Sequence, residues 1–596
     1  MNRPTHEQAA IVDASTTGED LVVEAGAGTG KTSTLEMLAA ANPRRRGIYL
    51  AYNKAIAADA SRKFPRSVQC KTSHSLAFQA VGRQYAHRLN APRMPARETA
   101  KALRINNPVQ VSGDLGPLSP TQLARMTMQT VERFCYSADQ QPEAWHVPRI
   151  EGLTGTITRQ VLASVIVPYA RTAWEDLSRL DGQLRFTHDV YLKLWALSGP
   201  RLPVDYVLLD EAQDSNAAVA GVVEAQQAQR ILVGDRSQAI YGWRGAVDAM
   251  ATFTGRRLQL SKSFRFGPAV AHEANKWLAI LDAPLRLTGH EPIPSEVVSL
   301  ELPDGPDAVL CRTNAEAVRQ AAAAIAQGVR PALVGGGDDV RRLAEAAIDL
   351  MAGRGTAHPE LMAFSSWGEV LDYVMQDSAG SDLQVAVGLI EKYKPEGVLQ
   401  ILEQLVDEHH ADVVLSTAHK AKGREWSKVR IADDFREPRR SEDNPDPELP
   451  RADAMLAYVA VTRAQLVLDR HGLEWVDRWA PAHLIDRPSA AALREDEAAL
   501  ERHLRQLATR DVPAVVVNAA AAALVADVES FEWPEPAPVD EPDVEPVDAP
   551  QPVEEPTSVA SPWPLAPGCR RCKVPDYRDC TCRLMPDRRP LASVTS

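Results

Sequence analysis

Ala25-Gly26-Ala27-Gly28-Thr29-Gly30-Lys31-Thr32 sets three glycines, a lysine and two hydroxyls between the apolar run LVVEA (21–25) and the helical pattern LEMLAAA. Strand, glycine-rich turn and helix in that order make a phosphate cradle. Glycines let backbone N–H groups wrap an anion and the helix N-terminus adds positive potential. Lys31 would reach the β and γ phosphates of a nucleotide, and Thr32 would offer its hydroxyl to Mg²⁺. The first position of the strict pattern is normally Gly and here is Ala25. Such a loop needs a metal-holding carboxylate at the end of a nearby strand, and Tyr206-Val207-Leu208-Leu209-Asp210-Glu211 supplies one. Asp210 would hold Mg²⁺ and Glu211 would polarise the attacking water. The pair implies nucleotide hydrolysis, with motor, switch and kinase all open.

A second chemical cluster lies near the far end. Cys569-x₂-Cys572-x₇-Cys580-x-Cys582 offers four thiolates, enough for a tetrahedral Zn²⁺, with Arg570, Arg571, Lys573, Arg578 and Arg583 around them. The single residue between Cys580 and Cys582 is tighter than the usual knuckle. An unligated reduced tail, or a redox or iron–sulfur role, are the alternatives.

The elements that must position these groups follow from periodicity. Short β-branched runs at 21–25, 48–52, 206–210, 231–235, 308–312, 332–336, 413–417 and 429–433 alternate with helical patterns, which predicts α/β architecture with two parallel sheets. Residues 76–199 interrupt the rhythm with amphipathic helical segments. From Ser489 a capped helix with Leu493, Leu500, Leu504 and Leu507 on one stripe is expected to pack on the body. A chain of 596 residues, 45% hydrophobic, exceeds one core, so several domains are expected. No run approaches the ~18 apolar residues of a membrane span, and the N-terminus lacks a signal-peptide pattern. With seven cysteines, an odd number, a reducing intracellular location is expected and no membrane partner. The net charge of −13 is local: eleven carboxylates and no Lys or Arg fall between Asp527 and Glu555, so the rest carries 66 basic against 68 acidic groups. Prolines crowd the same stretch, which reads as an extended acidic linker at 528–567. The nearly neutral body remains compatible with a polyanionic ligand.

Further stretches narrow the hydrolase class. Thr5-His6-Glu7-Gln8 precedes the phosphate loop, and Ala212-Gln213-Asp214 extends the carboxylate pair. Then come Val233-Gly234-Asp235-Arg236-Ser237-Gln238-Ala239-Ile240-Tyr241-Gly242-Trp243-Arg244-Gly245-Ala246, Ser263-Phe264-Arg265, Thr417 to Trp426 and Tyr458 to Ala464. In this order and spacing, over roughly residues 1–475, the set resembles the superfamily 1 DNA helicases of the UvrD/Rep type. Ala51 to Ala57, Lys71 to Ala77, Thr187 to Lys193 and Lys422-Gly423-Arg424-Glu425-Trp426 resemble the helicase part of the F-box DNA helicases. About 25 residues precede the phosphate loop, which leaves no room for an F-box, so the ubiquitin-ligase role of those relatives is not expected.

The resemblance implies two RecA-like motor domains, ATP and Mg²⁺ as cofactors, and single-stranded or tailed duplex DNA as partner. It implies that Gln8 reads the adenine edge, that Phe264 stacks on the base where relatives usually have Tyr, and that Glu425 touches the ribose. Gln238 would sense the γ phosphate, and Arg265 and Arg463 would act as arginine fingers from the second sheet domain. Tyr241 and Trp243 would be stacking platforms for bases. Arg244, Asn53, His74 and His419 would hold the DNA backbone. The implied domains are 1–75 with 200–262 (motor 1A), 76–199 (helical insertion 1B), 263–340 with 409–480 (motor 2A), 341–408 (a reduced insertion 2B), C-terminal helices at 481–527, the linker, and the Cys-rich tail at 568–596, the last two offering docking points for a protein partner. Arg265 to His419 spans only 154 residues, short for an interval that usually holds a full second accessory domain. The expected activity is an ATP-dependent 3′→5′ helicase or single-strand translocase in recombination, repair or replication. The alternative is a translocase that clears proteins without unwinding duplex. No nuclease carboxylate cluster follows residue 464.

Overall fold

Apolar runs without polar alternation are stable only when both faces of a strand are covered, which parallel sheets flanked by helices provide. In a computed structural model, β1 (Leu21–Ala25), β2 (Gly47–Ala51) and β4 (Tyr206–Leu209) are buried along their whole length, and β5 (Gln229–Gly234) nearly so. With β3 (Val68–Thr72) and β6 (Arg256–Leu260) they form a parallel sheet of order β3-β2-β4-β5-β1-β6. A second parallel sheet has the order β7-β12-β11-β8-β10-β9, from β7 (Glu296–Val298), β8 (Ala308–Cys311), β9 (Pro331–Leu333), β10 (Val413–Thr417), β11 (Trp426–Ile431) and β12 (Ala464–Asp469). The α/β class with two parallel sheets and interspersed helices is therefore the observed one. The structure describes residues 3–484 apart from 90, 92–93, 112–116, 150–155, 243–247, 300–301, 303–304, 357, 359–360, 362–363, 365, 377–381 and 439–446. The leucine-striped helix, the acidic linker and Cys569, Cys572, Cys580 and Cys582 lie outside the described residues. Among the described residues no helix is long and apolar enough to cross a membrane.

Between β3 and β4 the described chain is helical, with long helices at Pro120–Tyr136 and Thr156–Ser178. The first begins where it does because Ser119 and Gln122 cap each other and Pro120 has no N–H to lose. Leu123, Ile166 and Trp195 of this insertion share one apolar cluster with Val22, Leu50 and Val207 of the first sheet. Between β9 and β10 the described residues form the helical segments Asp338–Met351, Trp367–Gln376 and Asp382–Glu403, which share an apolar cluster with β8, β9 and β10.

A connector at 261–267 joins β6 to the helix Pro268–Ile280, which packs on the second sheet's helix Arg451–Val461. Its start is pinned: Ser261 N and Oγ donate to the Glu7 carboxylate at 2.8 and 2.7 Å. Ala27 of the glycine-rich turn and Ile240 belong to the same apolar cluster as Tyr458 and Phe266, so the two sheets meet over the ends of β1 and β5.

Candidate nucleotide site

In parallel sheets ligands bind beyond the carboxyl ends of the strands. Here the adjacent strands β4, β5 and β1 deliver Asp210 and Glu211, then Asp235, then the glycine-rich turn, to one edge. Ala25 is the last residue of β1, paired with Leu260, and not part of the turn itself, so a methyl group is tolerated there. The turn needs its glycines further on: Gly28 has φ 72° and Gly30 has φ 77°. A Cβ on Gly28 would also lie 2.6 Å from Arg265 Cβ and Ser263 Oγ, so the loop is pressed against the connector. Phe264 N donates to Gly28 O at 2.8 Å, which fixes that approach. Within the loop Thr29 Oγ1 donates to Gly26 O at 2.9 Å, and Gly30 caps the helix Lys31–Ala41, whose first turn holds the partly exposed Thr32.

Thr5 and Gln8 form a capping box at the start of the helix His6–Ser15. Gln8 Oε1 accepts from Thr5 N at 3.0 Å, which leaves the amide NH₂ as donor, 3.2 Å from Thr34 Oγ1. That NH₂ and the ring of Phe264 both face Gly30, at 3.5 and 3.8 Å from where its Cβ would be. Phe264 is 42% exposed, an aromatic face with room for a planar partner.

The carboxylates are unequal. Asp210 Oδ2 accepts from the Tyr49 hydroxyl at 2.6 Å and Oδ1 from Glu211 N at 2.9 Å. Burial raises its pKa, and the neighbouring Glu211 raises it further. Glu211 lies lower than an ordinary carboxylate: burial opposes its charge, but Lys31 and Lys422 outweigh burial. Lys31 Nζ is 3.3 Å from Glu211 Oε1, and its own pKa is raised because Glu211, Asp235 and Asp210 together outweigh burial. Glu211 has left-handed backbone angles, φ 50° and ψ 45°, a conformation costing a non-glycine residue on the order of 1–3 kcal/mol and frequent at functional sites. Asp210 and Thr32 are hard oxygen donors of the kind Mg²⁺ takes, and each Asp210 oxygen keeps a lone pair beyond the bonds named, so the residues present fit that ion.

Gln238 Nε2 donates to the fully buried Asp235 at 2.7 Å, and its Oε1 is 3.5 Å from Arg463 Nη2. Arg463, 1% exposed, spends its other bonds on the carbonyls of Val459 and Arg424 and the Thr462 hydroxyl, all neutral oxygens. Burial, then the nearby Arg265, pull its pKa down to about 9. Arg265, on the connector, is held by Glu425 at 2.6 Å and by Thr462 O at 3.1 Å. A cavity of about 170 Å³ is lined by Gly28, Lys31, Glu211, Gln238, Arg265 and Arg463, among others. The expected phosphate, water-activating, sensing and arginine groups are thus brought to one cavity.

The expected DNA contacts are more dispersed. Tyr241 lines that cavity and also a larger one of about 500 Å³ that holds His419, Lys420 and Arg312. Its hydroxyl donates to His419 O at 3.1 Å, and its ring stacks on Tyr52, centroids 6.3 Å apart. Asn53 caps the helix Lys54–Lys63 through Ile56 N and lines the smaller cavity. His74 lines neither; it is 3.4 Å from Asp189 of the helical insertion. Trp243 and Arg244 lie outside the described residues.

Several groups at the site went unassigned in the sequence. Tyr458, from the second sheet's helix, accepts from Ala27 N at 3.3 Å and donates to Asp235 Oδ2 at 3.0 Å. Lys422 Nζ donates to Asp214 and to Gln238 O. Gln213 joins Glu211, at 2.7 Å, to the backbone N–H of Asp235, at 3.0 Å. Tyr458, Lys422 and Gln213 stand in quoted stretches but carry no individual role there, whereas Tyr49 gives no signal beyond an apolar strand.

Residues 186–254 match the family model of the UvrD/REP helicase N-terminal domain. The chain is 31% identical over 480 residues to F-box DNA helicase protein 1 of Schizosaccharomyces pombe, covering 72% of this chain and 53% of that protein. It is 31% identical over 507 residues to F-box DNA helicase 1 of Gallus gallus, covering 78% of this chain and 48% of that protein. The chain therefore spans about half the length of these curated relatives. With its glycine-rich loop, carboxylate pair and buried arginine meeting in one cleft between two parallel sheets, the chain is similar to the UvrD/REP-type helicases.

Proposed function

We propose that the chain is an ATP-dependent DNA motor that translocates 3′→5′ on single strands and unwinds tailed duplex, in recombination, repair or replication. The observation that carries this reading is Arg463: a buried guanidinium from the second sheet, bonded to neutral oxygens and facing a cavity that holds Lys31, Glu211 and Gln238 of the first. A γ phosphate there would give it the anionic partner it lacks among the described residues, so ATP would draw the sheets together and hydrolysis would release them. Both relatives are named as DNA helicases, which supports the same reading.

In this reading Lys31 and the N–H groups of 26–32 hold the β and γ phosphates, Gln8 and Phe264 hold the base, and Glu211 orients and accepts a proton from the attacking water. Asp210 and Thr32 would hold Mg²⁺, which supplies charge neutralisation at the phosphates. Arg265 and Arg463 stabilise the negative charge that develops as the γ phosphate leaves, a contribution on the order of 10³–10⁵ in rate in comparable systems. Gln238 begins the segment that continues to Tyr241, so phosphate sensing and base stacking share one loop. Asn53, His74, Tyr241, Trp243, Arg244 and His419 are proposed DNA contacts.

The short interval between β9 and β10, where the described residues form the helical segments Asp338–Met351, Trp367–Gln376 and Asp382–Glu403, favours a second reading in which the motor strips proteins from single strands without unwinding. Strand separation on matched duplexes with a 3′ or a 5′ tail, with ATPase followed in the same tubes and Lys31→Ala as control, decides. Unwinding from the 3′ tail alone is expected. DNA-stimulated ATPase with no unwinding would favour the second reading, and no DNA stimulation would refute both.

A further inference from the structure

Tyr49 stands in the middle of β2, a strand buried along its whole length, and is itself 0% exposed. A phenylalanine would fill that position as well. A hydroxyl buried without a partner costs roughly 1–3 kcal/mol in proteins, so the oxygen at this place has to be matched by an acceptor. The match is Asp210: the Tyr49 hydroxyl donates to its Oδ2 at 2.6 Å. The ring is fixed by register and by packing. Tyr49 pairs with Leu208 on β4, two residues before Asp210, and its ring lies against Phe64 with centroids 4.9 Å apart. Asp210 Oδ1 is held separately by the N–H of Glu211, and Asp210 N by Leu50 O at 3.3 Å. The carboxylate plane is therefore fixed by donors from two sides, one of them a side chain from the neighbouring strand.

We propose that Tyr49 is a positioning residue for the metal-holding carboxylate: its hydroxyl fixes the orientation in which Asp210 presents its remaining lone pairs to the divalent cation of the nucleotide complex. Without that donor a carboxylate next to Lys31 and Glu211 has competing orientations, and the cation must select one. Outer hydrogen bonds of this kind are typically worth 10–100-fold in metal affinity. This inference rests on the proposed ATP-hydrolysing site and adds a residue that never touches nucleotide.

Mn²⁺ binding to the full chain, titrated by electron paramagnetic resonance in the presence of a non-hydrolysable ATP analogue, tests it. Tyr49→Phe is expected to weaken Mn²⁺ about 10-fold while leaving the affinity for a fluorescent ATP analogue in EDTA unchanged. Phe64→Leu, which loosens the ring without touching the hydroxyl, is expected to leave Mn²⁺ affinity within about twofold. Asp210→Asn is expected to abolish specific Mn²⁺ binding. Equal Mn²⁺ affinity in Tyr49→Phe and parent, with binding lost in Asp210→Asn, overturns the role of Tyr49 alone. An equal loss in Phe64→Leu and Tyr49→Phe assigns the effect to packing and also overturns it. Unchanged Mn²⁺ affinity in Asp210→Asn overturns the metal-site reading beneath it.

Discussion

Tyr458→Phe isolates what the second sheet contributes to the closed cleft. The ring stays and its fully buried packing is kept, while one oxygen is lost. That oxygen donates to the Asp235 carboxylate at 3.0 Å and accepts from Ala27 N at 3.3 Å, and both partners belong to the first sheet. Asp235 is not orphaned, because Gln238 Nε2 at 2.7 Å and Ser237 N at 3.0 Å remain. Ala27 borders the cavity of about 170 Å³, so water can replace the lost acceptor there. The main loss is one hydrogen bond to a charged group, about 2 kcal/mol. Since this bond exists only when the sheets meet, the loss falls on closure, and about 2 kcal/mol is roughly 30-fold in that equilibrium. The expected result is a fall of about that size in kcat/KM for ATP at saturating single-stranded DNA. Single-strand affinity without nucleotide should stay within about twofold. A kcat/KM within threefold of the parent would refute the claim that this contact holds the cleft.

Lys31→Ala should abolish ATP turnover and leave single-strand binding intact, since it removes charge from the phosphate cavity only; normal turnover by phosphate release would sink the site assignment. Lys276→Met should destabilise the fold by about 3 kcal/mol in urea unfolding, the low end for a broken buried pair because Arg470 still faces Glu273 at 3.3 Å after Nζ is lost from Glu273 at 2.8 Å and Asp477 at 2.7 Å. A change under 1 kcal/mol would show that the network is solvated. Glu24, on β1, is pushed from 4.5 to about 7 by burial and then by Asp235. A carboxyl raised on folding binds its proton better in the native state, so its stabilising protonation is complete below pH 4.5 and is lost as pH rises through about 7. Glu24→Gln should therefore flatten the stability-against-pH curve between those values, and an unchanged slope in calorimetry would assign it elsewhere.

The inner strands were legible because burial on both faces leaves no choice of residue: LVVEA, YVLL and VVLST announce themselves. The strands without a sequence signal are β3, β6, β7 and β12, and for the first three composition explains it. VQCKT and RRLQL form the two edges of the first sheet, where one flank meets solvent and polar residues are tolerated, and EVV is an edge of the second. The phosphate loop was legible because strand, turn and helix are contiguous. Contacts across the cleft were not, since Ala27 and Tyr458 are 431 residues apart and a tyrosine in an apolar helix reads as core. Tyr49 was hidden for the same reason. Two expected contacts have other local work: Asn53 caps a helix, and His74 sits beside Asp189. Asp453, in a stretch poor in glutamate, binds the Arg312 guanidinium at 3.0 Å and so ties the helix Arg451–Val461 to the end of β8.

The two arginines of the cleft are not equivalent, and the difference bears on how closure is driven. Arg265 is already neutralised by Glu425 at 2.6 Å, so turning it toward a phosphate exchanges one anion for another and yields little net attraction. Arg463 donates only to neutral oxygens, and burial, then the neighbouring Arg265, pull its pKa down against the opposing pull of Tyr458, Asp235 and Glu211. Its bonds to Val459, Arg424 and Thr462 fix the guanidinium before any ligand arrives, so the ordering cost is met in folding. A γ phosphate entering the cavity would find on one wall a rigid cation bonded to neutral oxygens, and on the other Lys31, already engaged by Glu211. The attraction that closes the sheets would then come chiefly from Arg463, with Lys31 released from Glu211 as the phosphate takes its place. That release would leave Glu211 without its nearest cation, raising its basicity at the moment when the attacking water needs a proton acceptor.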